Sequence, residues 1–189
     1  MGTGSERLRL AGSFRDPAGT VFLAEGRVFR TIEELKLDDY QLLRSSCMLE
    51  KLSASGMLIG TCPITAAELP AGLANGLPQR PRLWVEHERV PFISYPYEWS
   101  FGLLQRAALH YLDLFLELLQ SNFSLSDASA YNVQFRGTQP VFIDILSIRP
   151  YQEGEYWAGY RQFCEQFLNP LLLTSVLGVS HNSWLRGSP

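Results

Sequence analysis

Asp127, Asn132 and Asp144 are the residues whose types and spacing could carry out chemistry. Four residues separate Asp127 from Asn132, and Asp144 ends the stretch Pro-Val-Phe-Ile-Asp that follows a predicted turn. A loop aspartate can accept the proton of an attacking hydroxyl, while amide and carboxylate oxygens are hard ligands for Mg²⁺. If a hairpin brings the last two residues side by side, the three together predict a phosphoryl-transfer centre.

A structural interpretation of the same residues stays open. Asp127 could cap a helix-to-strand turn, and Asn132 could occupy a left-handed backbone position, as these residue types often do in loops. Asp144 is the less ordinary member because its neighbours are Val, Phe, Ile and Leu. A carboxylate inside an apolar strand needs a partner or a metal to offset its desolvation, which favours the metal site.

The first half of the chain is predicted to form a small antiparallel sheet with one helix. Breakers at 16–19 and 25–26 separate three short β-branched and aromatic runs within residues 13–32. A helix is expected over 37–55, with Gly56 as its C-terminal signal. Residues 62–82 are rich in Pro and Gly and predict a surface connection, in which 65–69 could form a helical turn, and a strand follows at 82–87.

The second half is predicted to be mainly helical. Ser100 is placed to cap a buried helix over 101–119, the most strongly apolar helix of the sequence. Two β-rich runs, 132–135 and 141–145, flank the turn residues Arg-Gly-Thr-Gln and predict a hairpin. A last helix over 156–177 should be interrupted or kinked at Asn169-Pro170, because proline lacks the N–H that the helix needs.

Composition limits the classes of function. The chain has 189 residues, of which 46% are hydrophobic, and a formal net charge of -3, so a globular protein of one domain or two small lobes is expected. Without a basic excess no nucleic-acid partner is predicted, and no apolar run is long enough to predict a membrane span. The three cysteines lack disulfide or zinc spacing, which fits a reducing cytoplasm.

The order of elements and the Asp-Asn-Asp set resemble the kinase-like phosphotransferase fold, most closely its aminoglycoside and choline kinase branch. There Asp-x-x-x-x-Asn is followed by a hairpin and a metal-binding Asp. The resemblance implies that Asp127 is the catalytic base, that Asn132 and Asp144 bind Mg²⁺, and that ATP is the phosphoryl donor. It also implies that Tyr95 and Tyr97, at the hinge between the lobes, contact adenine. Packing in the core and the hinge is the alternative role for this aromatic segment.

The expected phosphate-binding residues depart from that family. Only Lys36 and Lys51 are lysines among sixteen basic residues, and neither lies in the predicted third strand. Arg30 is the cation placed there, and Glu50 in the first helix could pair with it. A surface or interlobe ion pair is the alternative role for these two residues. Whether a chain with this arginine and few loop glycines still transfers phosphate is left open by the sequence.

A second resemblance covers about 150 residues. Four segments occur in the same order as in the N-terminal region of bacterial nodulation-protein-like polypeptides commonly labelled S-adenosylmethionine-dependent methyltransferases. The methyltransferase label would depend on a downstream domain, because this chain has no G-x-G-x-x-G after a strand. The four segments are Ser-Phe-Arg-Asp-Pro-Ala-Gly from 13, Pro-Phe-Ile-Ser-Tyr-Pro-Tyr-Glu-Trp-Ser from 91, Asp-Ala-Ser-Ala-Tyr-Asn from 127 and Tyr-Arg-Gln-Phe-Cys from 160.

These observations predict an α+β, two-lobed, protein-kinase-like fold. Residues 1–12 are expected to be a flexible N-terminus, 13–95 an N-lobe-like region, and 96–189 an abbreviated helical C-lobe-like region. The chain is interpreted as a truncated or isolated N-terminal module of a longer protein. The expected function is nucleotide and Mg²⁺ binding, in a degenerate kinase or an active small-molecule phosphotransferase, within a methyltransferase-type polypeptide. The alternative is a non-catalytic accessory module that binds a substrate or partner for a neighbouring methyltransferase domain.

Overall fold

The computed structural model describes residues 8–9, 17–73 and 83–187. The chain divides into two compact units, one formed by residues 1–53 and 59–89 and the other by residues 54–58 and 90–189. The predicted mixed α+β class, with a small antiparallel sheet and several helices, is confirmed. Apart from residues 8–9, the predicted flexible N-terminus lies outside the described residues, and so does the first of the three predicted strands.

The first unit contains a five-stranded antiparallel sheet with the strand order β1-β2-β3-β5-β4. The predicted hairpin between β2 and β3 is confirmed, and its turn residues Glu25 and Gly26 both have positive φ, at 51° and 74°. This backbone twist suits a two-residue hairpin. The strands are β1 (Leu8–Arg9), β2 (Val21–Ala24), β3 (Arg27–Ile32), β4 (Thr61–Ile64) and β5 (Leu83–His87).

Two helices, rather than the one predicted over 37–55, accompany this sheet. α1 spans Glu34–Ser45 and α2 spans Met48–Ala54, and between them Cys47 has a left-handed φ of 59°. The hydroxyls of Ser45 and Ser46 donate to the carbonyls of Leu42 and Leu43. Serine side chains compete in this way with backbone hydrogen bonds, and the periodicity of apolar residues does not reveal the break.

The connection between β4 and β5 contains the predicted helical turn. A 3-10 helix over Ala66–Glu68 is closed by a capping box, in which the Glu68 carboxylate accepts from the backbone N–H of Thr65 at 2.7 Å. Apolar side chains from the sheet and this connection form a small core in the first unit, where the rings of Phe22 and Trp84 lie 5.6 Å apart. Its buried members are Phe22, Ala24, Phe29, Leu73 and Trp84.

The second unit is organised around a long helix, α3 (Phe101–Gln120), which confirms the prediction over 101–119. The Ser100 hydroxyl accepts from the Leu103 N–H at 3.3 Å, as expected of a helix N-cap. Two short antiparallel pairs follow along the chain. β6 (Phe123–Leu125) pairs with β9 (Ile148–Pro150), and β7 (Val133–Arg136) pairs with β8 (Gln139–Phe142).

The β7–β8 pair is the predicted hairpin, but its second strand is shorter than expected. β8 ends at Phe142, so Asp144 lies beyond the strand and not within it. Asp144 instead caps a 3-10 helix over Ile145–Ser147, with its Oδ1 accepting from the Leu146 N–H at 3.4 Å. The premise that Asp144 lies inside an apolar strand, and therefore needs a partner or a metal, is wrong.

The last predicted helix, over 156–177, begins later and contains a wide turn. It comprises α4 (Tyr160–Phe163), a π-helical stretch (Cys164–Leu168) and α5 (Asn169–Leu177), and a short helix α6 (His181–Gly187) follows. At Asn169-Pro170, where an interruption or kink is predicted, the helical backbone continues, with φ -62° and ψ -47° at Asn169, and the helix changes there from π to α. Pro170 lies in the first turn of α5, where its missing N–H is tolerated. Among the described residues, no helix combines the length and apolar character needed to cross a membrane.

Candidate functional site

The loop from β6 to β7 carries two of the three predicted site residues and approaches the third. The Asn132 side-chain amide donates to Oδ1 of Asp127 at 3.0 Å. The backbone carbonyl of Asn132 accepts from the Ile143 N–H at 2.8 Å, next to Asp144 in the chain. The hairpin thus brings Asp127, Asn132 and the Asp144 segment to one edge of the second unit, where all three residues are half-buried.

The structural interpretation of this loop does not hold in the form that the sequence suggested. Asn132 closes a 3-10 helix over Ala130–Asn132 and does not have a positive φ. Ser129 caps that helix, since its hydroxyl accepts from the Tyr131 N–H at 3.3 Å. The cap of this 3-10 helix is thus Ser129, and the Asp127 carboxylate accepts a hydrogen bond from the Asn132 amide.

Tyr111 of α3 fixes the start of the loop. Its buried hydroxyl donates a hydrogen bond to the backbone carbonyl of Asp127. Burial and the negative charge of Asp127 raise the pKa of Tyr111 above its usual range, so the phenol keeps the proton that it donates. The Tyr111 ring lies in an aromatic cluster within this unit, formed with Phe142, Trp157, Phe163 and Phe167.

Two glutamines from the C-terminal helical segment hold the middle of the loop. Oε1 of Gln162 accepts from the Ala128 N–H at 2.9 Å, and Oε1 of Gln166 accepts from the Ala130 N–H at 2.7 Å. Gly159 lets the two segments approach, because a Cβ there would lie 2.9 Å from the Ala128 Cβ. The loop is thus held at Asp127 by α3, and at Ala128 and Ala130 by the C-terminal helical segment.

The predicted adenine-contacting residues lie in the same unit and form a tyrosine cluster with a residue of the loop. The Tyr95 and Tyr97 rings stack 5.5 Å apart with an interplanar angle of 3°. Tyr131 lies near these two rings. Its partial burial, followed by the nearby Tyr97 and Tyr95, raises the pKa of its hydroxyl. Tyr95 is 44% exposed and Tyr131 is 36% exposed, so part of the cluster is open to a ligand. The Arg186 guanidinium lies 5.8 Å from the centre of the Tyr97 ring.

The backbone that carries Tyr95 and Tyr97 is held by side chains of the same unit. The buried Gln134 side chain accepts from the Ser94 N–H and donates to the Ser94 carbonyl, both at 3.0 Å. Asn182 donates to the Tyr97 carbonyl at 2.7 Å. These bonds preorganise the tyrosine cluster. The conformational entropy that the two side chains would lose if a ligand stacked on them is therefore smaller.

Arg30 and Glu50, the predicted phosphate-binding pair, belong to the first unit. Arg30 lies on β3 and is only 6% exposed, whereas Glu50 lies on α2 and is exposed. Arg30 also lies near His87 of β5. Burial of the imidazole and the charge of Arg30 lower the pKa of His87 to about 3. Arg30 is thus buried within its own sheet, as a residue with a structural role would be.

The donor atoms near Asp127 suit a hard cation, although they form a sparse set. Among the described residues, no group of three or more His, Cys, Asp and Glu side chains could hold a metal ion. The candidate set has two carboxylates and one amide, and Mg²⁺ is commonly held by one or two carboxylates together with substrate phosphates and water. The residues present therefore fit Mg²⁺ bound with a nucleotide better than a metal held by protein alone.

The sequence missed the side chains that hold the loop. Tyr111, Gln162 and Gln166 were not singled out, and Tyr131 was not connected with the hinge tyrosines. One signal was available for the glutamines, which recur four residues apart beside Phe163 and Phe167. Amides on an apolar helix face must find hydrogen-bond partners when they are buried.

The comparisons with known proteins give one similarity and no family. No protein-family model matches the chain. Over 183 residues, which are 95% of its length, the chain is 44% identical to the nodulation protein NoeA of Rhizobium meliloti (strain 1021). The chain spans 36% of the length of that relative. This similarity supports the predicted resemblance to nodulation-protein-like polypeptides, while the kinase-like fold and the methyltransferase label stay predictions.

Proposed function

We propose that this chain is a kinase-like, nucleotide- and Mg²⁺-binding module of a larger polypeptide. The observation that supports it most is the hydrogen bond of 3.0 Å from the Asn132 amide to Asp127, combined with the hairpin that brings Asp144 to the same edge. In this proposal Asp127 is the base, Asn132 and Asp144 are the metal ligands, and Tyr95 and Tyr97 stack on the base of ATP.

The chemistry of the proposed site follows from these side chains. The Asn132 amide fixes the orientation of the Asp127 carboxylate, which can then accept the proton of an acceptor hydroxyl as that oxygen attacks phosphorus. The same hydrogen bond orients the Asn132 Oδ1, which with Asp144 supplies oxygen ligands. A bound Mg²⁺ would neutralise phosphate charge. Arg30 and Glu50 belong to the first unit, and the proposed site of the second unit does not depend on them.

Thermal unfolding with ATP and Mg²⁺ tests the proposal. Ligand at about ten times its Kd should stabilise the protein by about 1.4 kcal/mol, which for a chain of this size corresponds to about 3–6 °C in Tm. Asp144→Asn keeps an acceptor for the Leu146 N–H and removes the charge, so it should abolish the shift. Asp113→Asn, an exposed aspartate on α3, is the matched control and should retain it.

The proposal is overturned if Tm does not change with about millimolar ATP and Mg²⁺. At that concentration even a weak site, with a binding free energy of about -4 kcal/mol, is half-filled. An equal shift in Asp144→Asn and the unaltered chain would refute the assignment of the metal. Release of ADP that is lost in Asp127→Asn would identify an active phosphotransferase, whereas binding without turnover would identify a degenerate kinase.

The second candidate function is a non-catalytic accessory module that binds a partner domain. α5 is apolar on its outer side as well, where Leu172, Val176 and Leu177 are exposed, Val176 at 73%. Large exposed apolar surfaces often mark interaction sites. A polypeptide that joins this segment to a methyltransferase domain tests this candidate. Deleting residues 1–189 from it should lower methyl transfer, and methyl transfer at the original rate would refute the candidate.

A further inference from the structure

The loop that carries Asp127 leaves the sheet before it reaches the site. The Ser126 N–H donates to the Ser147 carbonyl at 2.8 Å, and after this bond residues 127–129 have no regular secondary structure. Backbone donors in such a segment need other acceptors when they are buried. Ala128 and Ala130 are fully buried, and both of their N–H groups donate to glutamine side chains.

The spacing of the two glutamines matches the spacing of the two donors. Residues two apart in extended backbone are separated by about 6.6 Å. Residues four apart on a helix share a face and are separated by about 6 Å along its axis. Gln162 and Gln166 can therefore reach alternate N–H groups of the loop at once, and Gly159 allows the close approach that this needs.

We infer that Gln162 and Gln166 are positioning residues, which set the separation of Asp127 and Asn132 and thereby the affinity of the site for a metal–nucleotide complex. This inference rests on the proposed function. The residues that they hold lie between the two site residues, and the Ser129 hydroxyl, 3.5 Å from the Gln166 Oε1, is in contact with the same acceptor. A loop released at Ala130 can rotate the Asn132 amide away from the Asp127 carboxylate.

The location of Gln166 adds to this argument. It is 8% exposed and lies in the π-helical stretch Cys164–Leu168. π-Helical turns are rare and are found frequently at functional sites. A buried amide whose acceptor oxygen serves the loop is costly to keep for packing alone, because an apolar side chain would fill that volume without a polar group to satisfy.

Titration calorimetry with the Mn²⁺–ATP complex tests the inference, at a temperature where each variant is folded by circular dichroism. Loss of a residue that orients metal ligands typically weakens metal binding by about 10–100-fold. Gln166→Leu, which removes the acceptor at similar size, should therefore raise the Kd by at least about tenfold. Gln166→Glu restores an acceptor oxygen and should recover most of the affinity.

The control is a substitution in the first unit that removes the side-chain acceptor of a buried backbone N–H. The Thr20 N–H donates to the Thr31 Oγ1 at 2.8 Å in the first unit, and Thr31→Val removes that acceptor. Thr31 also lies on the opposite face of β3 from Arg30, because side chains alternate along a strand. This variant should lower Tm and leave the Kd for Mn²⁺–ATP unchanged.

The outcomes separate the two proposals. If the unaltered chain does not bind Mn²⁺–ATP, the proposed function fails and this inference fails with it. If the unaltered chain binds and a folded Gln166→Leu binds equally well, the inference alone is overturned. Should Gln166→Leu not fold, Gln162→Ala at the half-buried neighbouring position takes its place, with the same weakening expected and equal binding again refuting the inference.

Discussion

Removing one oxygen atom from Tyr111 or from Tyr40 should change the stability of this protein in opposite directions. Both side chains are almost fully buried, Tyr40 at 2% exposed, and both changes are Tyr→Phe. The Tyr111 hydroxyl donates to the Asp127 carbonyl, whereas the Tyr40 hydroxyl has no hydrogen-bond partner among the described residues. The two variants therefore compare the loss of a hydrogen-bonded hydroxyl with the loss of a hydroxyl that has no partner, with the same substitution in both cases.

The magnitudes follow from the environments of these two atoms. Tyr111→Phe loses a hydrogen bond and leaves the Asp127 carbonyl without that donor, so the free energy of unfolding should fall by about 1–3 kcal/mol. Tyr40→Phe removes a buried polar group that nothing compensates, so the free energy of unfolding should rise by up to about 1 kcal/mol. The two variants should thus differ by about 2–4 kcal/mol.

Urea unfolding measures this difference. At an m-value of about 2 kcal/mol per molar, the two midpoints should be separated by about 1–2 M. Tryptophan fluorescence can follow both transitions, because Trp84 belongs to the first unit and Trp99 and Trp157 to the second. The reasoning is refuted if Tyr40→Phe destabilises the protein as much as Tyr111→Phe does, since the hydrogen-bond assignments would then not determine the cost.

Two further predictions concern a glycine pair and a histidine. Gly159→Ala should destabilise by about 1–3 kcal/mol, because its Cβ would lie 2.9 Å from the Ala128 Cβ, whereas Gly102→Ala, with open space in α3, should stabilise by about 0.5–1 kcal/mol in the same urea assay. For His87, burial and Arg30 lower the pKa from 6.5 to about 3, so the unfolded chain takes up a proton between these values that the folded chain does not. Stability should fall as the pH falls through this window, by at most about 1.4 kcal/mol per pH unit, and His87→Gln should remove that part of the slope in urea midpoints measured against pH.

The sequence predicts the elements of this fold better than their ends. Turn residues are local signals, so the hairpins at Glu25-Gly26 and Gly137-Thr138 were found from the residues that form them. The break at Cys47 was missed because it depends on serine hydroxyls that compete for carbonyls, and a serine pair also occurs within intact helices. The end of β8 at Phe142 was missed because apolar residues continue beyond the strand.

The candidate site shows the same division between local and distant information. The proximity of Asp127 and Asn132 follows from a short spacing in one loop, and the hairpin adds Asp144. The role of Tyr111 and the two glutamines could not be read in this way, because they approach the loop from helices that are 16 to 36 residues distant in the chain. Periodicity identifies a buried face, but it does not say which loop that face contacts.

The π-helical stretch Cys164–Leu168 makes the site sensitive to chain length as well as to residue type. A π-helical turn holds about one residue more than an α-helical turn. Deleting a single residue here would let the segment become an ordinary α-helix and rotate everything on one side of the deletion by about 100° relative to the other. A deletion between Gln162 and Gln166 would also leave them three residues apart instead of four, so their side chains would no longer match the spacing of the two N–H donors in the loop. Among natural variants, a one-residue gap at this point would therefore mark chains whose loop is held in another way.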